Sequence, residues 1–369
     1  MLMRTARAES RRWAAAGAVV VTAGAGAVGL VGAVPAAAAP VVNCKDNRGA
    51  LQPAIAGAAP GATLMVKGTC TGPFTITKDL TLIGQGRAVL DGNQAGSTVT
   101  VTGAVQVRLT TLTIINGIAS NGGGINNAGG TVTLDDSTVR NNTATSGGGI
   151  FNSSGGTLTL SDSTVERNTT TDDGGGIDNR GTATLDDSTV RNNTATDFGG
   201  GIRNTGGGTV TLDDSTVEHN TTTNVDGGGI NNSNGTVTLD DSTVRNNTAA
   251  RDGGGIRNIG GTVKLNESTV RNNTAARDGG GIFNDSGGTV TLDDSTVRNN
   301  TATSDGGGIR NSGSGTVTLD DSTVRNNTAT SGGGIRNSGI GTVTLDDSTV
   351  RNNQPDNCFP LGSVPGCTG

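Results

Sequence analysis

An all-β solenoid, a chain wound into stacked coils of short strands, is what this sequence predicts, and three observations carry it. A unit of about 26 residues recurs nine times: GGGI ends first at Ile125 and last at Ile335, and STV ends first at Val139 and last at Val350, in steps of 25 to 28. Within one unit, GGGINNAGGTVTLDDSTVRNNTATS, polar and apolar residues alternate over Thr131-Val132-Thr133-Leu134 and β-branched residues predominate, which is strand patterning. Proline, which cannot donate to a ladder, is absent from residues 121 to 353.

Residues 1–38 read as a secretory signal peptide, with a basic start, an Ala/Val/Gly apolar run and Ala36-Ala37-Ala38 before the expected cut. Arg11-Arg12 after Ser10 points to a twin-arginine route, so the expected location is extracellular. No second long apolar stretch follows, so no integral membrane segment is expected once the leader is gone. The leader carries four arginines and one glutamate, a net +3, so its removal takes the formal charge from -6 to -9. A chain this acidic is not expected to bind nucleic acid.

Residues 39–120 are expected to form an N-terminal cap and irregular coils. Leu51 to Ala56 suits a short cap helix, and ATLMVKG, FTITKDLTLIG, RAVLDG, STVTVTG and VQVRLTTLTIING suit strands. Residues 121–353 are the nine regular repeats, each with extended pieces at Gly-Ile-Asn, Thr-Val-Thr-Leu and Thr-Val-Arg-Asn separated by Gly, Asp-Asp and Asn-Asn turns. A unit this short buries its apolar face only against its neighbours, so Ile, Val, Leu and Val become inward columns in a rod of about 12 coils, roughly 55 to 60 Å long. Residues 354–369, with Pro355, Pro360 and Pro365, form a C-terminal cap. Cys44, Cys70, Cys358 and Cys367 suggest two disulfides; three pairings are formally open, and local ones are favoured because each pair sits at one end of the array.

The repeat resembles that of the chlamydial polymorphic outer-membrane proteins, with GGGI ending at Ile125 for the GGA-I element and Val139-Arg140-Asn141-Asn142 for F-x-x-N, Val replacing Phe. The alternation looks like a right-handed parallel β-helix of the pectate-lyase-like superfold. The first resemblance implies an adhesin-like surface protein, although the 16 residues after Asn353 leave no room for a translocating barrel. The second implies polysaccharide lyase or hydrolase chemistry. The chain lacks the His-Gly and Arg-x-Pro elements of such enzymes, and the expected mature chain lacks Tyr and Trp for stacking on sugars.

In a stack every repeat position becomes a row. Asn142 and its equivalents, invariant to Asn353, are expected to form an asparagine ladder, with the serines from Ser137 to Ser348 in a structural row beside it. The preceding position is Asn in seven units, Arg167 in one and His219 in another, so the chain's one histidine reads as a substituted surface residue rather than a catalyst. Thr131 and Thr133 begin a T-x-T pair occupied by Thr in 17 of 18 places, including Thr211 and Thr238, with Lys264 the exception; such arrays resemble those of ice-binding β-helices.

Asp135, Asp136, Asp213, Asp214, Asp240 and Asp241 lie in two acidic rows and are the candidate calcium ligands; no other cofactor is expected. A mostly basic row from Arg140 to Arg351, with Glu166 and Glu218 interposed, faces outward as a surface for an acidic polymer. Phe151 and Phe283 share a variable row with Arg203 and Arg257 and are candidates for touching a ligand. The expected function is a secreted, non-catalytic structural, adhesive or polymer-binding protein, with cell-wall or extracellular polysaccharide as its partner. The alternatives are an enzyme acting on acidic polysaccharide and an ice-binding protein. Nothing in the sequence sets an oligomeric state.

Overall fold

The computed structural model describes residues 39–367, so the signal segment expected over 1–38 lies outside the described residues. Strand β1 (Val41–Asn43) and helix α1 (Leu51–Gly57) begin the chain; Leu51 and Ile55 point into the end of the core and close it. The long strands β2 (Ala62–Thr71), β4 (Leu80–Asp91) and β6 (Gln106–Ile115) pair in parallel, with the short β3 (Phe74–Ile76), β5 (Val99–Thr102) and β7 (Ile118–Asn121) between and after them. RAVLDG does not stand alone: it completes β4.

From residue 125 the pattern becomes regular: β8 (Ile125–Ala128), β9 (Thr131–Asp135), β10 (Thr138–Arg140) and β11 (Thr143–Ser146), then β12 (Ile150–Asn152) opening the next coil. The T-V-T-L-D and T-V-R strands each pair in parallel with their equivalents one coil on, in an unshifted register such as Thr209↔Thr236 through Asp213↔Asp240, whereas β11 shifts its register against the next coil after Ala144. Among the described residues three sheets result, of 22, 8 and 12 strands, the last with one strand for each of twelve coils. The T-V-T-L-D and T-V-R strands share the largest sheet. The eight-stranded sheet rests on a Thr-Ala step too short and too weakly patterned to read from the sequence.

The core is a set of single-residue columns. Ile, Val and Leu at the four apolar positions are fully buried in the middle coils, as at Ile230, Val237, Leu239 and Val244. Burying each such side chain contributes about 1.5–3 kcal/mol. Polar ladders cover the turns between columns. Asn142 Nδ2 donates to Asn168 Oδ1 at 3.0 Å, and Asn168 Nδ2 in turn reaches back to the carbonyl of Val139 at 3.0 Å. Ser163 Oγ accepts from the Ser137 amide and donates to the Ser161 carbonyl. A second ladder, not read from the sequence, runs through the Asn of Gly-Ile-x-Asn: Asn127 to Asn152 and Asn152 to Asn179, both at 2.8 Å. Both ladders are buried, so each amide replaces water for turn groups that would otherwise be unpaired.

The GGGI run follows from this packing. Gly147 sits at φ +64°, and a Cβ on Gly149 would lie 2.6 Å from the Gly176 carbonyl oxygen of the next coil. The turn rows are explained the same way. Asp136, Asn141 and their equivalents are left-handed, at φ +45° and +55°, the region that Asn and Asp tolerate best. Both ends are clasped by the local disulfides Cys44–Cys70 and Cys358–Cys367. Among the described residues no helix is long and apolar enough to cross a membrane.

Candidate functional site

Over the regular coils each repeats the last, so the candidate sites there are surfaces, and three stand out. The first is the outer face of β9 and its equivalents. Thr131, Thr133, Thr211 and Thr238 point outward, half-buried, with Thr211 directly beside Thr238. One coil before Thr133 the row holds Arg108, whose Nε lies 2.7 Å from Asp135 Oδ2. Asp135, Asp213 and Asp240 close the same strands on the same side, while Asp136, Asp214 and Asp241 project from the left-handed turns beyond. Stacking raises the Asp320 carboxyl of this row above its usual value, through desolvation first and then the neighbouring Asp346, Asp321 and Asp293. Among the described residues no three His, Cys, Asp or Glu side chains converge as a group that could hold a metal.

The second surface is a seam where the residue preceding GGG in one coil meets the residue following GGGI in its neighbour. Arg203 Nε lies 3.2 Å from Asp173 Oδ2, and its Nη1 lies 3.4 Å from Asp178 Oδ1. Arg180 holds the other oxygen of Asp178 at 3.1 Å, and its guanidinium carbon stacks 4.8 Å from the Phe151 ring centre. Arg257 repeats the motif between Asp226, at 3.1 Å, and the ring of Phe198. Asp252 pairs with Arg277, whose own pKa is raised by that hydrogen bond.

Burial governs the acids here. It pushes the Asp173 carboxyl up to about 6 against the opposing pull of Arg203, and raises Asp178 against Arg203 and Arg180. Asp226 and Asp278 are raised for the same reason, against Arg257 and Arg310 respectively. Phe151 and Phe283 are each only 7% exposed and Asp178 is wholly buried, so these parts of the seam are closed to solvent. The phenylalanines therefore do not present the ligand-contacting faces that an outward row suggests, and Phe151 is covered by a neighbouring arginine.

The third surface is the outer row of the T-V-R strands. Glu166 pairs with Arg191 at 2.8 Å and Glu218 with Arg245 at 2.7 Å, so the first coils neutralise themselves. Beyond them Arg271, Arg298, Arg325 and Arg351 stand in register with no acid among the described residues in salt-bridge contact. His219 lies at the edge of this surface, half-exposed at φ +53°, with Nδ1 3.5 Å from Glu218 Oε2. Its row is a left-handed turn row, which is why Asn fills most of it.

Residues 267–285 match the Chlamydia polymorphic membrane protein repeat. That stretch holds one T-V-R strand, the ladder residue Asn273 and the glycine run ending at Ile282, which are the parts that make one coil stack on the next. Among solved structures, the crystal structure of pectate lyase Pel9A is similar, at 16% identity, a TM-score of 0.38, and coverage of 86% of this chain and 83% of that one. No curated protein matches this chain in sequence.

The acids of the seam were not singled out from the sequence, although a signal existed. Asp precedes the glycines at 173, 226, 252, 278 and 305. What the sequence hides is the partner, because Asp173 meets Arg203 and Asp226 meets Arg257 across coils, 30 or so residues apart.

Proposed function

We propose that this chain is a secreted, non-catalytic β-helix protein that acts in a structural or adhesive role at the cell surface by holding a repetitive polymer. The observation that carries this reading is the unshifted register of the outward rows across the nine regular coils, from Thr131↔Thr157 to Thr316↔Thr342. A surface repeated at one-coil intervals offers many equal weak contacts, and these add through effective concentration when the target is itself repetitive. The raised carboxylates of the seam, Asp173 and Asp178, which are the kind a glycosidase-like acid would need, are buried and held by Arg203 and Arg180. Placement outside the cell rests on the leader-like residues 1–38 and on two disulfides.

A binding screen of the protein lacking residues 1–38 against cell-wall and extracellular polysaccharides, with and without calcium, tests the reading. Retention on at least one polymer with no release of reducing or unsaturated ends supports it. Release of such ends shows an enzyme instead.

The register of the T-x-T rows favours a second reading, ice binding, because two hydroxyl rows lie about 6.7 Å apart and repeat every ~4.8 Å. Ice-crystal shaping that disappears in Thr238→Lys would establish it; the acidic row beside the threonines and Lys264 within them argue for the polymer.

A further inference from the structure

We infer that the row Arg271, Arg298, Arg325 and Arg351 is a binding track for a linear polysaccharide bearing one carboxylate or sulfate on each sugar ring. This site is one form of the polymer-binding reading above and rests on it. Four guanidiniums stand one coil apart in strict register, Arg271↔Arg298, Arg298↔Arg325 and Arg325↔Arg351. None is neutralised by a salt bridge with a described side chain, although the same row in earlier coils carries Glu166 and Glu218 for that purpose. Desolvation and the charges of Arg245 and Arg298 lower the pKa of Arg271, with Glu218 pulling the other way, so like charge outweighs counter-charge at this end of the stack.

The flanks suit a sugar. On one side runs a registered row of threonine hydroxyls, Thr269, Thr296, Thr323 and Thr349. On the other runs an exposed row of left-handed asparagines that includes Asn299 and Asn326. Guanidinium takes carboxylate or sulfate through paired N–H donors, while hydroxyl and amide groups serve ring hydroxyls. Charges one sugar ring apart come close to the coil repeat of about 4.8 Å, whereas duplex DNA places a phosphate every 3.4 Å of strand. The acidic turn row, with Asp294 and Asp321, lies beyond the threonines, which confines a polyanion to the side of the arginines.

The experiment uses the protein lacking residues 1–38, immobilised, with a polyuronate, a sulfated polysaccharide, a neutral glucan and single-stranded DNA as separate probes over a salt series. Binding of one or both charged polysaccharides, with log affinity falling by about three per decade of salt, is expected for four arginine contacts. Arg271→Glu/Arg325→Glu copies the alternation that the first coils already tolerate, so the fold persists, which circular dichroism checks. Binding in this variant is expected to weaken by about tenfold or more at low salt, with the salt slope near zero. Glu166→Arg/Glu218→Arg, which lengthens the track, is expected to tighten it.

Unchanged polyanion binding in a folded Arg271→Glu/Arg325→Glu variant overturns the track and leaves polymer binding elsewhere on the rod. DNA binding as tight as the polysaccharides overturns the sugar assignment. Retention of the neutral glucan alone also overturns the track while upholding the broader reading.

Discussion

The first coils and the last coils of the regular rod share one backbone plan and differ in what they write on it. Up to Glu218 the outer row of the T-V-R strands alternates in sign, and its members pair along the rod axis, Glu166 with Arg191 and Glu218 with Arg245. From Arg271 onward the same position is arginine in every coil. At strand spacing, neighbouring like charges repel by about 0.9 kcal/mol per pair in water, which is small beside the columns and ladders that hold each coil. The difference teaches that the frame does not depend on this row. The row is therefore free to carry function, and the two halves form an internal control for each other.

The largest effect is expected from breaking the frame on which both halves hang. Asn247 joins the coil after Glu218 to its neighbours, accepting from the amide and side chain of Asn220 and donating to Asn273 and the Val217 carbonyl. Asn247→Ala leaves several of these groups buried and unpaired, and a loss of about 3 kcal/mol in urea denaturation is expected. A loss within experimental error would mean that water replaces the ladder.

Proton uptake separates the halves next, since three of the four seam carboxylates that burial pushes up, Asp173, Asp178 and Asp226, lie in the first. Asp173 keeps its proton to about pH 6 when folded and releases it near 3.8 otherwise. Between those values the folded chain holds more protons, so the Asp173 contribution is fully present below about pH 4 and is lost as pH rises through 6. Asp173→Asn leaves Asp178 to hold Arg203. The stability difference between this variant and the parent is expected to change by about 2 kcal/mol between pH 4 and pH 7, measured by denaturation at both.

A smaller effect tests the alternating row itself. Glu166→Gln leaves Arg191 without its partner, and because the glutamate is nearly buried a cost of about 1 kcal/mol is expected in thermal or urea unfolding. The matching change Arg298→Gln in the second half relieves repulsion, so its effect is expected to be neutral or slightly favourable. The smallest change comes from His219→Asn, which restores the residue that a left-handed turn prefers and is expected to alter stability by no more than about 0.5 kcal/mol and polymer binding not at all.

The winding was legible because it rests on short-range rules: period-two alternation at Thr131 to Leu134, a constant period and proline kept out of the repeats. Asn142 announced its ladder by invariance within the chain, and Asn127 would have done so too had the Asn of Gly-Ile-x-Asn been followed from unit to unit. The glycines before each Ile were legible as breaks, although their reason, a neighbouring carbonyl 2.6 Å from a would-be Cβ at Gly149, needs three dimensions. The Thr-Ala strand was missed because two residues carry no period. Phe151 reads as outward from alternation, and its burial under Arg180 depends on a residue from the next coil. The arginine row was visible; that Glu166 and Glu218 pair with arginines along it was not.

Registered rows are the claim on which the rest depends, and pulsed electron paramagnetic resonance measures them directly. All four cysteines are in disulfides, so spin labels placed through Thr→Cys changes report only where they are put. Labels at 184 and 291, 159 and 318, and 133 and 344 stand four, six and eight coils apart in one threonine row. Mean distances near 19, 29 and 38 Å, rising by about 4.8 Å per coil, are predicted. Distances that do not increase in that order would contradict the stacked register.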